Sequence, residues 1–444
     1  MDDPADVTLA AVTAQFLDLG VRRLYVKPLA ENDNSKNQIY LGGGDWAVLN
    51  ALPARRWLDP VPVTHGFIVK AEMEFSWIDG HGHAVPVEAA RLILYPQYPE
   101  IRLSGFLRGA PGAPAFMGQR LPGRVLLFGV TADARVYAFA SRAEDSVTGE
   151  IVALPRTRAA GALWEIPLDD RRDQRRRLLD ELHRVHLRGW LDPVRLAADG
   201  ELLPCRGPNC GGYTLEAALG VPMNSLAEPD LLGYEVKQHQ VTAFDRVEVG
   251  ILTLMTPEPT AGFYRTAGVE AFIRRFGAPD ARGREDRLNF GGIHRYGVRS
   301  VRTGLTLRVP GWNVTDGRLV DPTGGLALIA DDGEPAAIWP FPRLIEHWQR
   351  KHLHAVYVPS LRRLVPLVQY SYGDRVRLGE RTDFGLFMNA LLDGLVYYDP
   401  GIKLEHATGG HPAIKRRSQF RIRSAELPRL YATMENVDTS PAAI

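Results

Sequence analysis

The chain has 444 residues and a formal net charge of only +1, so its overall charge does not mark it as a nucleic-acid-binding protein. Hydrophobic residues make up 45% of it and charged residues 24%, as in globular proteins, and the length predicts two or three domains. We find no apolar run near the roughly 20 residues of a membrane-spanning helix, and no signal-peptide pattern in the acidic N-terminus. We therefore expect a cytoplasmic protein that has no membrane partner.

The first predicted domain is rich in β-strands and covers about residues 1–155. Residues 5–19 have helical periodicity and precede the strand-like VRRLYVKPL and the polar loop ENDNSKNQ. Short alternating segments follow between Gly and Pro residues, such as GFIVKAEMEFSWI and RVLLFGVTA. This density of short strands indicates a small barrel or pseudobarrel.

Residues 156–199 are predicted to form a helical linker. The stretch EIPLDDRRDQRRRLLDELHRVHLRGW, over 165–190, is highly charged, and its helix is expected to start after Pro167. A solvated connecting helix is one interpretation, and a helix that lies along DNA phosphates is the other.

Cys205 and Cys210 are the two cysteines of the chain and lie in the loop CRGPNC. Their spacing would suit half of a zinc site, but no second Cys or His pair follows closely. We therefore expect a reduced pair in a glycine-rich loop rather than a metal site.

The rest of the chain alternates between helical and strand-like segments. YTLEAALG and GVEAFIRRFG are predicted helices, whereas LLGYEVKQHQV and VEVGILTLMT are predicted strands. This alternation predicts an α/β or α+β domain with a central mixed sheet over residues 200–435, followed by a flexible tail over 436–444.

Two carboxylates and a lysine near the start of this domain form the strongest candidate active site. In the segment EPDLLGYEVK, a strand would place Glu235 and Lys237 on one face and turn Val236 into the core. Asp230 precedes them at a turn, where a short hairpin can bring its carboxylate beside Glu235. With the Val236 carbonyl, the two carboxylates would form an oxygen-rich site for Mg²⁺, with Mn²⁺ as its expected substitute. Lys237 would stabilise the attacking hydroxide or the charge on a scissile phosphate.

This is the pattern of the PD-(D/E)XK nuclease fold, although a carboxylate before an exposed strand with the sequence E-x-K is also common elsewhere. Upstream, Glu216 lies on the predicted helix of GGYTLEAALG. It is either an accessory acid of the same site or an ordinary first-turn Glu that the helix dipole stabilises.

Longer stretches resemble the MvaI/BcnI restriction endonuclease family. They include GGYTLEAALG, PDLLGYEVK, LTLMTPEPTAGFY and RLNFGGIH, then AAIWPFPRLIEHWQRKHLHAVYV and GLVYYDPGIKLE with KRRSQFRIR. The resemblance covers roughly residues 200–432, in the family's order. It implies a PD-(D/E)XK domain in which Asp230 and Glu235 are metal ligands and Lys237 is the catalytic lysine. Glu216 becomes an accessory acid.

The resemblance also implies a function. Members of that family are Mg²⁺-dependent type II restriction endonucleases that recognise short C/G-rich sites in double-stranded DNA and cut as monomers, one strand after the other. We therefore expect a site-specific deoxyribonuclease of a restriction-modification system, active in phage defence. A defence or repair nuclease with relaxed or modification-dependent specificity is one alternative, and a non-catalytic DNA-binding protein is another.

The segment KRRSQFRIR carries the best candidates for reading DNA bases. In a strand, Arg417, Gln419 and Arg421 would share one face, with Phe420 and Ile422 on the other. Arg and Gln side chains pair bidentately with guanine and adenine in the major groove. A solvated basic strand, or one that contacts only phosphates, is the alternative.

Three further residues are candidates for contact with DNA. His294, in NFGGIHRYG, is either a DNA contact near the scissile phosphate or a structural histidine. Tyr264 and Arg265 follow the turn TPEPTAGF and are expected to contact the DNA backbone.

The first domain has a resemblance of its own. LYVKPLAENDNSKNQIYLGG is similar to the start of the EcoRII N-terminal effector domain, a plant B-three-like pseudobarrel that binds a second copy of the target DNA. Lys36, Asn37 and Gln38 would then face DNA. This implies a type IIE-like enzyme that binds two DNA segments at once. A domain that reads a modified base or binds protein is the alternative.

Overall fold

The structure is a computed structural model of the chain. It describes residues 7–31, 38–43, 47–64, 66–79, 82–95, 100–155, 157–168, 170–223, 230–246, 248–352, 354–409 and 411–440. The chain forms two compact units, Met1–Leu178 and Leu179–Ile444. None of the helices in the described ranges is long and apolar enough to cross a membrane.

The first unit consists mostly of short strands. Its helices are α1 (Leu9–Asp18), α2 (Ala47–Ala51) and α3 (Ser146–Ala153), a short 3-10 helix covers Ala115–Gly118, and α4 (Asp170–Leu187) crosses the boundary between the units. Its strands are β1 (Val21–Pro28), β2 (Gln38–Gly42), β3 (Arg56–Trp57), β4 (Val61–Val63), β5 (Gly66–Glu72), β6 (Glu74–Ile78), β7 (Ala84–Pro86), β8 (Arg91–Tyr95), β9 (Glu100–Ser104), β10 (Val125–Thr131), β11 (Arg135–Ser141), β12 (Thr157–Ala160) and β13 (Leu163–Ile166).

These strands form two sheets, which confirms the predicted β-rich character. One has the order β12-β13-β1-β10-β11-β6-β7, and the other has the order β2-β9-β8-β5-β3, with β4 paired to β5. β10, with the sequence VLLFGVT, is buried along its whole length, which explains its nearly uninterrupted apolar sequence. The predicted first helix is α1. Thr8 Oγ1 accepts the Ala11 N–H at its start, and Val12 and Phe16 are buried in the core.

The first unit continues past residue 155, the boundary predicted from the sequence. β12 pairs with β13, and β13 pairs with β1 from Leu24 to Val26, so both late strands belong to the first sheet. The helix predicted within 165–190 is present as α4. The expectation of a helical linker over the whole of 156–199 is wrong, because strands precede and follow that helix.

The second unit alternates between helices and strands. Its further helices are α5 (Cys210–Ala218), α6 (Phe263–Thr266), α7 (Val269–Phe276), α8 (Phe341–His352) and α9 (Phe384–Leu392), and a 3-10 helix covers Ser424–Leu430. Its strands are β14 (Val194–Leu196), β15 (Leu202–Pro204), β16 (Glu235–Gln240), β17 (Ile251–Met255), β18 (Ala278–Pro279), β19 (Arg287–Gly291), β20 (Thr306–Arg308), β21 (Trp312–Asn313), β22 (Arg318–Leu319), β23 (Gly325–Ile329), β24 (Pro335–Pro340), β25 (His354–Arg363), β26 (Gln369–Tyr372), β27 (Arg375–Glu380), β28 (Tyr397–Tyr398), β29 (Gly401–Glu405), β30 (Ala413–Lys415), β31 (Phe420–Arg423) and β32 (Thr433–Asp438).

A five-stranded mixed sheet carries the candidate site. β16, β25, β27 and β32 lie side by side in that order, and β26 also pairs with β25. β16 runs parallel to β25, whereas β25 is antiparallel to β27, and β27 to β32. This confirms the predicted central mixed sheet. It also places β16 at an edge of the sheet, with α5 packed against it.

The two cysteines are joined in a disulfide, so the expectation of a reduced pair is wrong. The Cα atoms of Cys205 and Cys210 are 5.7 Å apart, and Cys210 is the first residue of α5. Proximity in sequence alone could not decide between thiols and a disulfide. The bond closes a small loop at the start of α5.

The predicted flexible tail over 436–444 is also wrong at its beginning. β32 extends to Asp438 and pairs there with Arg375. Thr439 is buried, and its N–H donates to the backbone oxygen of Asp374 at 2.9 Å. Residues 441–444 lie outside the described part of the chain.

Candidate active site

A tight hairpin turn precedes the edge strand β16. Leu231 and Tyr234 exchange two backbone hydrogen bonds, of 3.1 and 2.8 Å, across the intervening Leu232 and Gly233. Both intervening residues have positive φ, 49° and 81°, which is the signature of a type I′ turn. Asp230, the residue before this turn, is therefore folded back towards the start of β16, as the sequence predicted.

Asp230 is fixed by a backbone hydrogen bond. Its Oδ2 accepts the Val236 N–H at 2.8 Å, and the Val236 side chain is buried, as the alternation predicted. The N–H and C=O of one strand residue point to the same side of the strand. The Val236 carbonyl therefore also points to the open edge of β16, beside the Asp230 carboxylate.

Glu235 and Lys237 lie on one face of β16, as their spacing predicted. Lys237 Nζ donates to Glu235 Oε1 at 2.8 Å, and the Glu235 side chain is only 6% exposed. The other carboxylate oxygen, Oε2, is buried and has no hydrogen-bond partner within the described part of the chain. One oxygen of Glu235 thus holds the lysine, and the other is open to a further positive group.

The carboxylates of Asp230 and Glu235 concentrate negative charge at a largely buried position. Burial raises the pKa of Asp230 to about 7, and the charges of Glu235 and, more weakly, Glu216 contribute to this rise. The hydrogen bond from the Val236 N–H and the charge of Lys237 act in the opposite direction. Burial alone would lower the pKa of Lys237, but the Glu235 carboxylate more than offsets it and raises that pKa above its usual value. The lysine is therefore a cation at neutral pH.

Glu216 lies on α5, the helix that packs against β16. It is partly buried and lies in the second turn of α5, which begins at Cys210 and has no acidic residue in its first turn. The alternative of a first-turn Glu stabilised by the helix dipole is therefore wrong. Its charge contributes weakly to the raised pKa of Asp230, so Glu216 lies within electrostatic range of that carboxylate.

Two tyrosines beside the site were not predicted from the sequence. Tyr357 lies opposite Lys237 on β25, and its hydroxyl is 2.9 Å from the hydroxyl of Tyr431. Both rings are buried, and burial raises the pKa of both hydroxyls, so both are neutral. No local pattern reveals them, because their position depends on strand pairing over a long sequence distance.

The donor set fits a hard divalent cation. Such cations prefer carboxylate and carbonyl oxygens, and Asp230, the Oε2 atom of Glu235 and the carbonyl of Val236 supply oxygens of both kinds. Within the described ranges, no group of three or more His, Cys, Asp or Glu side chains is arranged to hold a metal ion. A site built here would therefore need the backbone carbonyl together with the two carboxylates.

The predicted base-reading residues are exposed or half-buried and follow the expected alternation. Arg417 is exposed and Gln419 and Arg421 are half-buried, whereas Phe420 and Ile422 are fully buried. β31 begins only at Phe420, so the first two of the three polar residues lie in the extended segment before it. The structure thus places all three on one side of the chain.

Arg421 has a partner that the sequence did not predict. Its Nη1 donates to Asp399 Oδ2 at 2.6 Å, and both side chains are about a quarter exposed, at 24% and 25%. The Asp399 N–H in turn donates to the Gln419 backbone oxygen at 2.8 Å. Asp399 therefore sets the direction of the guanidinium.

Two of the weaker candidates lie in the core. His294 is fully buried, its Nε2 is 2.8 Å from Thr303 Oγ1, and burial lowers its pKa to about 4, so it is neutral and closed off from DNA. Tyr264 is also buried, and its hydroxyl donates to the Glu258 carboxylate. For His294 the burial favours the structural alternative, and the expected contact of Tyr264 with the DNA backbone is wrong. Arg265 is exposed and stays a candidate.

The candidates in the first unit are only partly described. Lys36 and Asn37 lie outside the described residues. Gln38 begins β2, and its side chain bonds to Tyr95 and Arg102 rather than standing free.

The chain is similar to known restriction endonucleases. A family model, the MvaI/BcnI restriction endonuclease family, matches residues 179–431, which is more than half of the chain and starts where the second unit starts. No curated protein sequence matches significantly. Among solved structures, a complex of restriction endonuclease MvaI with its cognate DNA substrate is 16% identical, with 61% of this chain and 99% of that chain aligned and a TM-score of 0.45. MvaI in the absence of DNA has the same identity and coverage and a TM-score of 0.34. On the family match, the chain belongs to the MvaI/BcnI restriction endonuclease family, a family of nucleases.

Proposed function

We propose that the chain is a Mg²⁺-dependent type II restriction endonuclease that hydrolyses phosphodiester bonds in double-stranded DNA. The observation that carries the proposal is the Glu235 carboxylate, which binds Lys237 through one oxygen and has a buried second oxygen without a hydrogen bond, next to Asp230. Leaving such an oxygen unsatisfied is costly unless a cation meets it. In a nuclease, a divalent cation at this position would take part in the hydrolysis of the phosphodiester.

Each residue of the site would have a separate task. Asp230, Glu235 and the Val236 carbonyl would hold the cation, which supplies Lewis acidity at a phosphate oxygen and at the attacking water. Lys237 would stabilise the negative charge that develops on the scissile phosphate. Glu216 would hold the attacking water from the α5 side.

The substrate would be read by residues outside this cluster. Arg417, Gln419 and Arg421 are accessible on one side of the chain and have the hydrogen-bonding groups that recognise bases. Arg265 would contact the DNA backbone. The enzyme would act as a monomer at a short C/G-rich site, in the cytoplasm, as the cutting half of a restriction-modification system against phage DNA. The first unit would hold a second DNA segment, in the manner of a type IIE enzyme.

Incubation with supercoiled plasmids tests the proposal. With Mg²⁺ or Mn²⁺ we expect nicked and then linear DNA resolved into discrete bands, and with EDTA we expect no change. A smear would favour a nuclease of relaxed specificity, and binding without cutting would favour the non-catalytic alternative. DNA that stays supercoiled at every enzyme concentration and with either metal contradicts the proposed activity.

A further inference from the structure

A four-stranded sheet of the second unit presents a row of polar residues on one face. The sheet has the order β18-β19-β29-β30, and Lys403 at its centre lies directly opposite Asn289 on one side and Lys415 on the other. Ile402 and Leu404, the neighbours of Lys403 in β29, are fully buried, so Lys403 points to the opposite, accessible face.

Lys403 and Lys415 lie directly opposite each other on paired strands, so their positive charges repel each other. Like charges directly opposite each other on paired strands are destabilising. Lys415 is compensated by Glu405, whose carboxylate is 2.6 Å from its Nζ. Lys403 makes no ion pair with any residue in the described ranges.

A third cation borders the row. The Gly401 N–H donates to the Arg417 backbone oxygen at 2.9 Å, and a Cβ atom on Gly401 would lie 3.2 Å from Arg417 Cδ. The Arg417 side chain therefore lies over the bare backbone of Gly401, two residues along β29 from Lys403. Burial, followed by the charges of Arg287 and Arg417, lowers the pKa of Lys403, and the Glu405 carboxylate opposes this only in part.

We propose that Lys403, Lys415 and Arg417 form a phosphate-binding row that holds the DNA backbone beside the base-reading residues. The row is continuous with the remaining base-reading residues, because Arg417 lies two residues before Gln419 in the chain. Glu405 acts on Lys403 electrostatically but makes no ion pair with it, so a phosphodiester would supply Lys403 with a direct anionic partner. The assignment rests on the proposed function, and it changes the expected role of Arg417 from base reading to phosphate contact.

The salt dependence of DNA binding tests this row. Full-length wild type and Lys403→Gln are titrated in EDTA, where no cutting is expected, with a plasmid fragment at several salt concentrations. The plot of log K against log salt has a negative slope, and each lost phosphate contact makes it shallower by about 0.9. Each lost contact also weakens binding at 0.1 M salt by up to about tenfold. We expect Lys403→Gln and Arg417→Gln each to behave in this way, equally on DNA fragments of different sequence. Lys403→Arg should restore the wild-type slope.

Arg299→Gln is the matched control. Its guanidinium is exposed and paired with Asp331 at 2.6 Å, so its loss should leave both affinity and slope unchanged. A Lys403→Gln protein that melts like the wild type and keeps its affinity and slope would overturn the row, and so would a loss of affinity confined to one DNA sequence. Cutting by the wild type in Mg²⁺ is scored separately. A protein that binds through the row but never cuts would refute the nuclease and not the row.

Discussion

The state of charge of Lys237 decides what this residue can do. A lysine taken out of water tends to lose its proton and can then act as a base. Here the contact with Glu235 Oε1 raises the pKa instead, so the residue is a fixed cation. A fixed cation next to a reacting phosphate stabilises negative charge rather than removing a proton from water.

Lys237→Ala should therefore abolish cutting and spare binding. Loss of one preorganised group that stabilises transition-state charge costs about 10² to 10³ in rate. We expect plasmid cleavage in Mg²⁺ to slow by at least this factor, while affinity for DNA measured in EDTA stays within a few-fold of wild type. Lys237→Arg, which keeps the charge on a different geometry, should recover part of the rate. Loss of binding together with cutting would indicate that Lys237 is needed for the structure instead.

The residues of the site differ in how well the sequence reveals them. Glu235 and Lys237 could be placed correctly because alternation along a strand is a local property. Tyr357 could not, since its contact with the site depends on the register between two strands that lie far apart in the sequence. His294 was left open between a DNA contact and a structural role, and only its burial decides between them.

The turn before β16 is the element on which the position of Asp230 depends. A type I′ turn needs positive φ at both central residues, which suits Asn followed by Gly and disfavours Leu. Leu232, at φ 49°, therefore carries strain of about 1 kcal/mol. The sequence predicted a turn here but not its type, because Leu-Gly is not a typical pair for it.

Leu232→Asn should stabilise the protein without changing its activity. Asn adopts positive φ more readily, so we expect the thermal unfolding midpoint to rise by roughly 1 to 3 °C, with an unchanged rate of plasmid cleavage. Gly233→Ala is the opposite change: at φ 81° it should lower the midpoint and slow cutting, because Asp230 shifts with the turn. Unchanged cutting by a folded Gly233→Ala protein would show that the turn does not position Asp230.

The disulfide at the start of α5 makes a second prediction at this scale. Closing a loop between residues five apart restricts the unfolded chain and is worth about 2 kcal/mol. Treatment with a dithiol reductant, or Cys205→Ser, should lower the unfolding midpoint. We expect cutting to persist, because α5 is also held by the Tyr372 hydroxyl, which donates to the Gly211 backbone oxygen at 2.7 Å. Cleavage that stops on reduction while the protein stays folded would contradict this and give the bond a role in the activity.

The effect of reducing the disulfide on cutting also tests the proposed cytoplasmic location. Disulfides are uncommon in the cytoplasm, where thiols are kept reduced. Activity with or without the Cys205–Cys210 bond would fit a cytoplasmic protein, whereas a need for the bond would argue against that location.

For the whole molecule, the boundary between the units was the hardest feature to predict. The segments TRAA and LWEI, which form β12 and β13, have only four residues each and are too short to stand out as strands of the first domain. They belong to it because they extend the sheet at β1, more than 130 residues earlier, by pairing that no local pattern encodes. The second unit was easier, since long stretches of it resemble one family in order.

A fragment that lacks the first unit tests whether that unit is needed for DNA cleavage. All the residues proposed for cutting lie in the second unit, and α4 crosses the boundary, so a fragment of residues 170–444 keeps that helix whole. We expect this fragment to cleave plasmid DNA with Mg²⁺ by itself.

If the first unit holds a second DNA segment, the full chain should cut a two-site plasmid several-fold faster than a one-site plasmid, and the fragment should cut both at the same rate. Equal rates of the full chain on the two plasmids would refute the type IIE-like behaviour and leave the active site untouched. An inactive but folded fragment, by contrast, would mean that the first unit is required for the chemistry itself.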